Sequence, residues 1–184
     1  MDIINIRNDL SVKGKNGIGF LLSGVVIWSI ITIIFLQPME IQQKNIFMLF
    51  TTGIMFPLSI AISALIKADW KLPNNPLGNL GTYLNLAQLS YFPILFFAII
   101  KSPHDAVLFF AIITVAHFFP YGWFYNAKPF YVLAPINSVA IMFLGLYSNG
   151  ENLWIIPLSM TILLLLLIAL LHLDYKRKIT NGIQ

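Results

Sequence analysis

Apolar residues gather in six runs along this chain, at 17–36, 45–66, 79–100, 106–125, 129–147 and 153–173, and no Asp, Glu, Lys or Arg lies inside any of them. A hydrocarbon core about 30 Å thick is crossed by roughly 20 residues of helix. Backbone polar groups in that layer have to bond within their own segment, as a helix allows. The pattern predicts an all-α, polytopic transmembrane bundle of six spans. The connections are short, so residues 1–184 read as a single integral membrane domain, with no room for a separate water-facing catalytic domain.

The polar positions inside the runs carry the next level of information. In the third run, Thr82, Asn85 and Gln88 step by three and share a helix face. An unpartnered amide costs several kcal/mol in hydrocarbon, so this face calls for protein or a wet cavity. The third span is expected in the interior. In the fourth run Thr114, His117 and Tyr121 again share a face, beside Pro120. A proline inside a helix lacks an N–H and frees the carbonyl four residues earlier, here that of Ala116. Pro57 frees Gly53 in the same way, and Pro135 frees Tyr131 beside Asn137 and Ser138.

Depth ties these positions together. Measured from the tail side of the bundle, Asn85 and Gln88 lie roughly 9–14 Å in, His117 and Asn137 about 12 Å, and Ser23 and Ser59 about 10 Å. Five spans placing polar atoms at one level predict a polar pocket in that half of the bundle. The expected ligand-binding residues are Asn85 and Gln88 as hydrogen-bonding groups, His117 as switchable donor or proton carrier, and Tyr121 and Asn137 as orienting partners. The same layer also reads as structural glue between helices. The leucines at 163–167 ask for no polar partner and are expected to face lipid. Gly19/Ser23 and Ser59/Ser63 suggest close helix contacts, and Trp28 reads as a packing residue.

Composition agrees with this picture. The chain is 58% hydrophobic and 10% charged, against about 25% charged in a soluble domain. It has no cysteine, so disulfides and thiolate metal sites are excluded. In a six-span topology Arg7, Lys13, Lys15, Lys67, Lys71, Lys128, Lys176, Arg177 and Lys178 fall on one side, and Lys44 and Lys101 on the other. Positive charge stays cytoplasmic, which predicts cytoplasmic termini in a cell membrane. Basic charge distributed in this way orients spans and argues against a nucleic-acid partner. The first run reads as a retained span, because Phe35-Leu36-Gln37-Pro38 offers no small-residue cleavage site. The connection 67–78, rich in Pro, Asn and Gly, reads as a structured turn or as a lid for the pocket.

Chemistry is sparse. One intramembrane histidine without Cys or carboxylate makes no closed metal site, so no metal and no cofactor are expected. No Gly-x-Ser-x-Gly elbow is present and the acidic residues all lie outside the runs, so no catalytic residue is assigned and an enzyme is disfavoured. An ion-coupled pump usually uses a membrane-embedded acid, absent here. The expected function is small-molecule binding or permeation through the polar pocket. The alternative is a non-catalytic scaffold, sensor or partner subunit whose polar layer is structural. The expected partners are the lipid bilayer and a small-molecule ligand.

Two stretches carry a resemblance. Asn74-Asn-Pro-Leu-Gly-Asn-Leu-Gly81 and Ala116-His-Phe-Phe-Pro-Tyr-Gly-Trp-Phe-Tyr125 resemble a family of small bacterial multi-span proteins, domain of unknown function 7010. The resemblance implies an integral membrane protein and supplies no activity, substrate or functional residue.

Overall fold

The computed structural model describes residues 2–182, and across them the only regular secondary structure is helical. The helices are α1 (Ile3–Lys13), α2 (Ile18–Leu36), α3 (Ile41–Gly53), α4 (Met55–Leu65), α5 (Gly78–Ala87), α6 (Phe92–Lys101), α7 (Ala106–Ala116), α8 (Phe119–Phe124), α9 (Lys128–Tyr147) and α10 (Ile155–Thr180). Five helical stretches are long and apolar enough to cross a membrane, and α3 with α4 makes a sixth, bent by 44°.

Prolines account for where spans break. The bend between α3 and α4 follows Gly53, whose carbonyl Pro57 leaves without its i+4 donor. The fourth span breaks after Ala116, the carbonyl that Pro120 frees. The third span carries a break that the hydropathy pattern does not announce. Pro93 cannot donate to Leu89, and residues Gln88–Tyr91 tighten into a 3-10 turn in which the Phe92 N–H takes the Leu89 carbonyl instead. By contrast α9 runs unbroken through its mid-helix proline, Pro135.

The spans form an open arc. The α2–α10 pair is the most extensive interface, with α4 and α3 flanking α2 on one side. On the other side α9 packs on α10, α7 and α8 pack on α9, and α6 leans on α7. Among the described residues, no extensive interface closes the arc between α3–α4 and α5–α6.

This arrangement reverses two expectations. The third span is not interior: only 11% of its apolar window is buried. It stands at one end of the arc, with Asn85 and Gln88 half-buried toward the other spans and Leu95 and Ala98 buried on α6. The sixth span does not simply face lipid. Leu164 and Leu167 are buried with Met160 and Leu171 against α2, while Leu165 and Leu166 point outward. A uniform leucine run has no polar residue to mark its packed face, so only the neighbour decides which leucines are covered.

The N-terminal segment is itself a helix, folded back under the bundle. Asp2 caps α1 through the Ile4 N–H. A left-handed turn at Lys15, Asn16 and Gly17 (φ 48°, 53° and 72°) then sends the chain into α2. Asn and Gly tolerate that conformation. Gly17 also lies flat against the Tyr125 ring, where a Cβ would meet ring carbon at 2.9 Å.

The connection 67–78 is tied to α1. The Asn75 side chain donates to the Ile6 carbonyl and to Asp9 Oδ2, both at 2.9 Å, and accepts from the Leu77 N–H at 3.0 Å. Burial alone would raise the Asp9 pKa, but hydrogen bonds from Lys13 and Asn75 and the Lys13 charge outweigh it and hold the carboxyl below its usual value. Asn75→Ala is expected to lower stability by about 1–2 kcal/mol, with faster amide hydrogen exchange in α1 and the connection. Unchanged exchange in both segments would show that the connection is not pinned in this way.

Candidate functional site

Inside the arc lies a cavity of about 820 Å³. Its walls come from α2, α3 and α4 on one side and from α5 through α8 on the other, with Phe130 of α9 and Leu164 of α10 behind. The cavity runs from the tail end, at Gly17 and Tyr125, past Trp28 and into the far half of the bundle, at Ile46, Phe96 and Phe110. Trp28 does pack between helices, its ring stacked on Phe110 at 5.1 Å, and it also faces the cavity.

Asn85, Gln88, His117 and Tyr121 all line this cavity, joined by Thr82 and Thr114. They form one polar wall because the inward faces of α5, its 3-10 extension, α7 and α8 meet there. Asn137 is not part of it. It is buried in α9, whose inner face is taken up by α7, α8 and α10, so only Phe130 of that helix reaches the cavity. Ser23 and Ser59 are fully buried but bond to their own helices at the α2–α4 contact. Residues at one depth therefore separate by azimuth. The predicted five-span layer resolves into a polar wall from two spans and a serine-lined helix contact.

The hydrogen bonding of the wall is inward and loose. Asn85 Nδ2 donates to the Gly81 carbonyl on its own helix at 2.9 Å. Thr114 Oγ1 donates to the Phe110 carbonyl at 2.8 Å, again within its helix. His117 Nε2 and Tyr121 Oη are 3.4 Å apart on consecutive turns. Only Gln88 Nε2 to Thr114 Oγ1, also 3.4 Å, bridges two spans. Good hydrogen bonds of these types lie nearer 2.8–3.0 Å. The Asn85 carboxamide oxygen and most of the Gln88 amide thus keep capacity for another partner.

Sequence reasoning missed two features here. Most of the lining is aromatic or aliphatic, including Trp70 from the 67–78 connection, and apolar residues in a membrane span carry no mark that separates lipid-facing from cavity-facing. The second is a polar network at the tail end. Lys178 is buried and donates to Ser11 Oγ at 2.8 Å, the Asn126 carbonyl at 2.9 Å and the Tyr125 carbonyl at 3.1 Å, with Asp174 Oδ2 at 2.7 Å. Asn16 joins it through the Leu171 carbonyl and Asp174, both at 3.0 Å. Arg7 stacks over Trp123, 4.9 Å from the ring centre, and donates to the Trp123 carbonyl and to Asn126. Covalent spacing hid this cluster, since Ser11 and Lys178 are 167 residues apart.

Among the described residues no Asp, Glu, Lys or Arg lines the cavity, so it offers no fixed charge to a guest. Among the described residues, no three His, Cys, Asp or Glu side chains gather where they could hold a metal. The arrangement can accept and donate hydrogen bonds to a neutral guest and can surround it with aromatic surface.

No curated protein and no solved structure matches the chain. A family model described as a family of unknown function, DUF7010, matches residues 3–174. The match runs from α1 into α10 and takes in every span; the chain belongs to this family.

Proposed function

We propose that this protein binds a small molecule in the cavity between α2–α4 and α5–α8, in the cytoplasmic half of a bacterial cell membrane, with both tails in the cytoplasm. Permeation through the bundle is one use of such a site. The observation that carries the reading is the inward hydrogen bonding of the polar wall. A layer kept as glue would bond between helices. Asn85, His117 and Thr114 bond within their own segments, and the one interhelical bond is long. The short interhelical polar ties lie outside the wall, around Lys178 and Asn16 at the tail end and from Asn45 Nδ2 to the Pro103 carbonyl at the other end. The charge distribution supports the orientation, since the tails carry most of the Lys and Arg.

Stability and binding separate this reading from a structural one. Asn85→Leu and His117→Leu are expected to leave thermal stability unchanged or raised, within about 1 kcal/mol, because polar groups kept for function are rarely optimal for folding. The same variants should lose ligand-induced stabilisation, or solute flux in reconstituted vesicles, by about tenfold or more. A sharp stability loss in both variants, with binding and flux intact across a broad panel of neutral solutes, would establish the polar wall as a structural lock and the protein as a scaffold or partner subunit.

A further inference from the structure

We infer that the cavity takes its ligand sideways from the bilayer, and that this ligand is an uncharged single-chain amphiphile with one small hydrogen-bonding head, of the alcohol or carbonyl class. This deepens the binding-site reading above and rests on it.

The argument begins at the rim. Phe50, Phe56, Leu86, Leu89 and Phe96 line the cavity and are also among the exposed apolar residues, Phe50 by 73% and Leu89 by 55%. These five residues come from α3, α4, α5, the 3-10 turn and α6, the two ends of the open arc. All lie inside apolar runs, at least five residues from the nearest charged residue. The opening they frame therefore faces hydrocarbon, not water. An aqueous solute would have to cross that layer to use it, whereas a molecule dissolved in the bilayer already sits at the door.

The interior then sets the chemistry of the occupant. Lining atoms are mostly aromatic and aliphatic, which suits a chain. The amides, the imidazole and most of the hydroxyls stand together on the α5–α8 wall, while Thr52 and the single N–H donors of the Trp28 and Trp70 indoles lie apart from it. Thr52 is satisfied by the Leu49 carbonyl of its own helix at 2.7 Å. One polar spot in an apolar chamber fits one polar head. With no Asp, Glu, Lys or Arg in the lining, a phosphate, carboxylate or ammonium head would be stripped of water without a counter-charge. A hydroxyl or carbonyl can bond to Gln88, Asn85 or His117 at little cost. A volume of about 820 Å³ is that of a site for one such molecule. The helices flanking the opening are also the two whose spans break there, at Gly53 and at Gln88–Tyr91. These breaks supply points at which the arc can widen.

Trp28 makes the proposal measurable, because its indole lines the cavity and is only 2% exposed. The experiment uses the full chain with Trp70, Trp123 and Trp154 replaced by Phe, reconstituted in phosphatidylcholine vesicles. Trp28 fluorescence is followed as mid-chain-brominated probes are added: a long-chain alcohol, the matching carboxylate at neutral pH, phosphatidylcholine, and a short water-soluble bromoalcohol. The expected result is saturable quenching by the long-chain alcohol, relieved by its unbrominated form, with about tenfold weaker apparent affinity for the carboxylate. Gln88→Leu with Thr114→Val should weaken the alcohol by about tenfold, since two hydrogen-bonding groups are lost. Equal affinity for the carboxylate would overturn the uncharged head. Equal quenching by brominated phosphatidylcholine would show bulk acyl tails filling the hollow and would overturn a specific ligand. Saturable quenching by the short alcohol alone would overturn lateral access while leaving the small-molecule reading standing. No saturable quenching by any probe would remove both, and a cross-linked dimer in that case would identify a second copy as the cover of the opening.

Discussion

Lys178→Met is expected to destabilise the protein by about 3–5 kcal/mol. The Lys178 ammonium is buried at the tail end and has four acceptors within 3.1 Å, from α1, α10 and the turn between α8 and α9. Removing it leaves Ser11 and two backbone carbonyls short of a donor and Asp174 short of its counter-charge. A carboxylate deprived of its buried partner costs more than the pair contributed, because desolvation is no longer offset. The loss should appear in thermal or SDS unfolding of the reconstituted protein. Lys178→Met combined with Asp174→Leu should cost less than the sum of the two single changes, since the double variant leaves no unpaired charge. A Lys178→Met protein within 1 kcal/mol of the parent would mean that the network is hydrated and contributes little.

The second large effect is expected at the α2–α4 contact. Gly19→Leu should destabilise by about 2–3 kcal/mol through overpacking. A Cβ on Gly19 would lie 3.0 Å from the Ser63 Cα and closer still to the Ser63 hydroxyl. The hydroxyl can rotate away but the backbone cannot, so the two helices have to separate. That separation would also strip the contact that keeps Ser23 and Ser59 fully buried. Gly53→Ala is the matching control. Nothing lies within 4 Å of its added methyl and its φ is not positive, so the change should be neutral or stabilise by up to about 1 kcal/mol. If both variants behave alike, close approach at Gly19 is not what holds α4 against α2.

Particular residues show how far the chain could be read before its fold was known. The pair Gly19/Ser23 with Ser59/Ser63 announced a close contact by spacing alone, and α2 and α4 meet there. Pro57 and Pro120 marked the freed carbonyls of Gly53 and Ala116, and the second and fourth spans, read as continuous, break at those carbonyls. Pro135 followed the same local rule and left α9 continuous. A freed carbonyl permits a break, and packing against α7, α8 and α10 on this helix resists it. Asn85, Gln88, His117 and Tyr121 were legible as inward-facing, since their amide, imidazole and phenol groups are costly in lipid. Asn137 met the same criterion, yet it is buried in a different place. Dislike of hydrocarbon says that a residue turns away from lipid, and it does not say toward which neighbour.

What the chain determined by itself was its solvent, its helical class and the approximate length and number of its spans. Those properties follow from local sums: apolar residues added over about 20 positions match one bilayer thickness, whatever the other spans do. The open arc, the central place of α10, the lateral mouth and the burial of Lys178 were decided only by tertiary structure. They depend on which helix faces meet, and in a membrane the faces of an apolar helix are chemically alike. Lipid chains solvate leucine as well as a neighbouring helix does, so hydrophobicity cannot choose between them. Shape and a few hydrogen bonds make that choice, and they act between residues as far apart as Ser11 and Lys178.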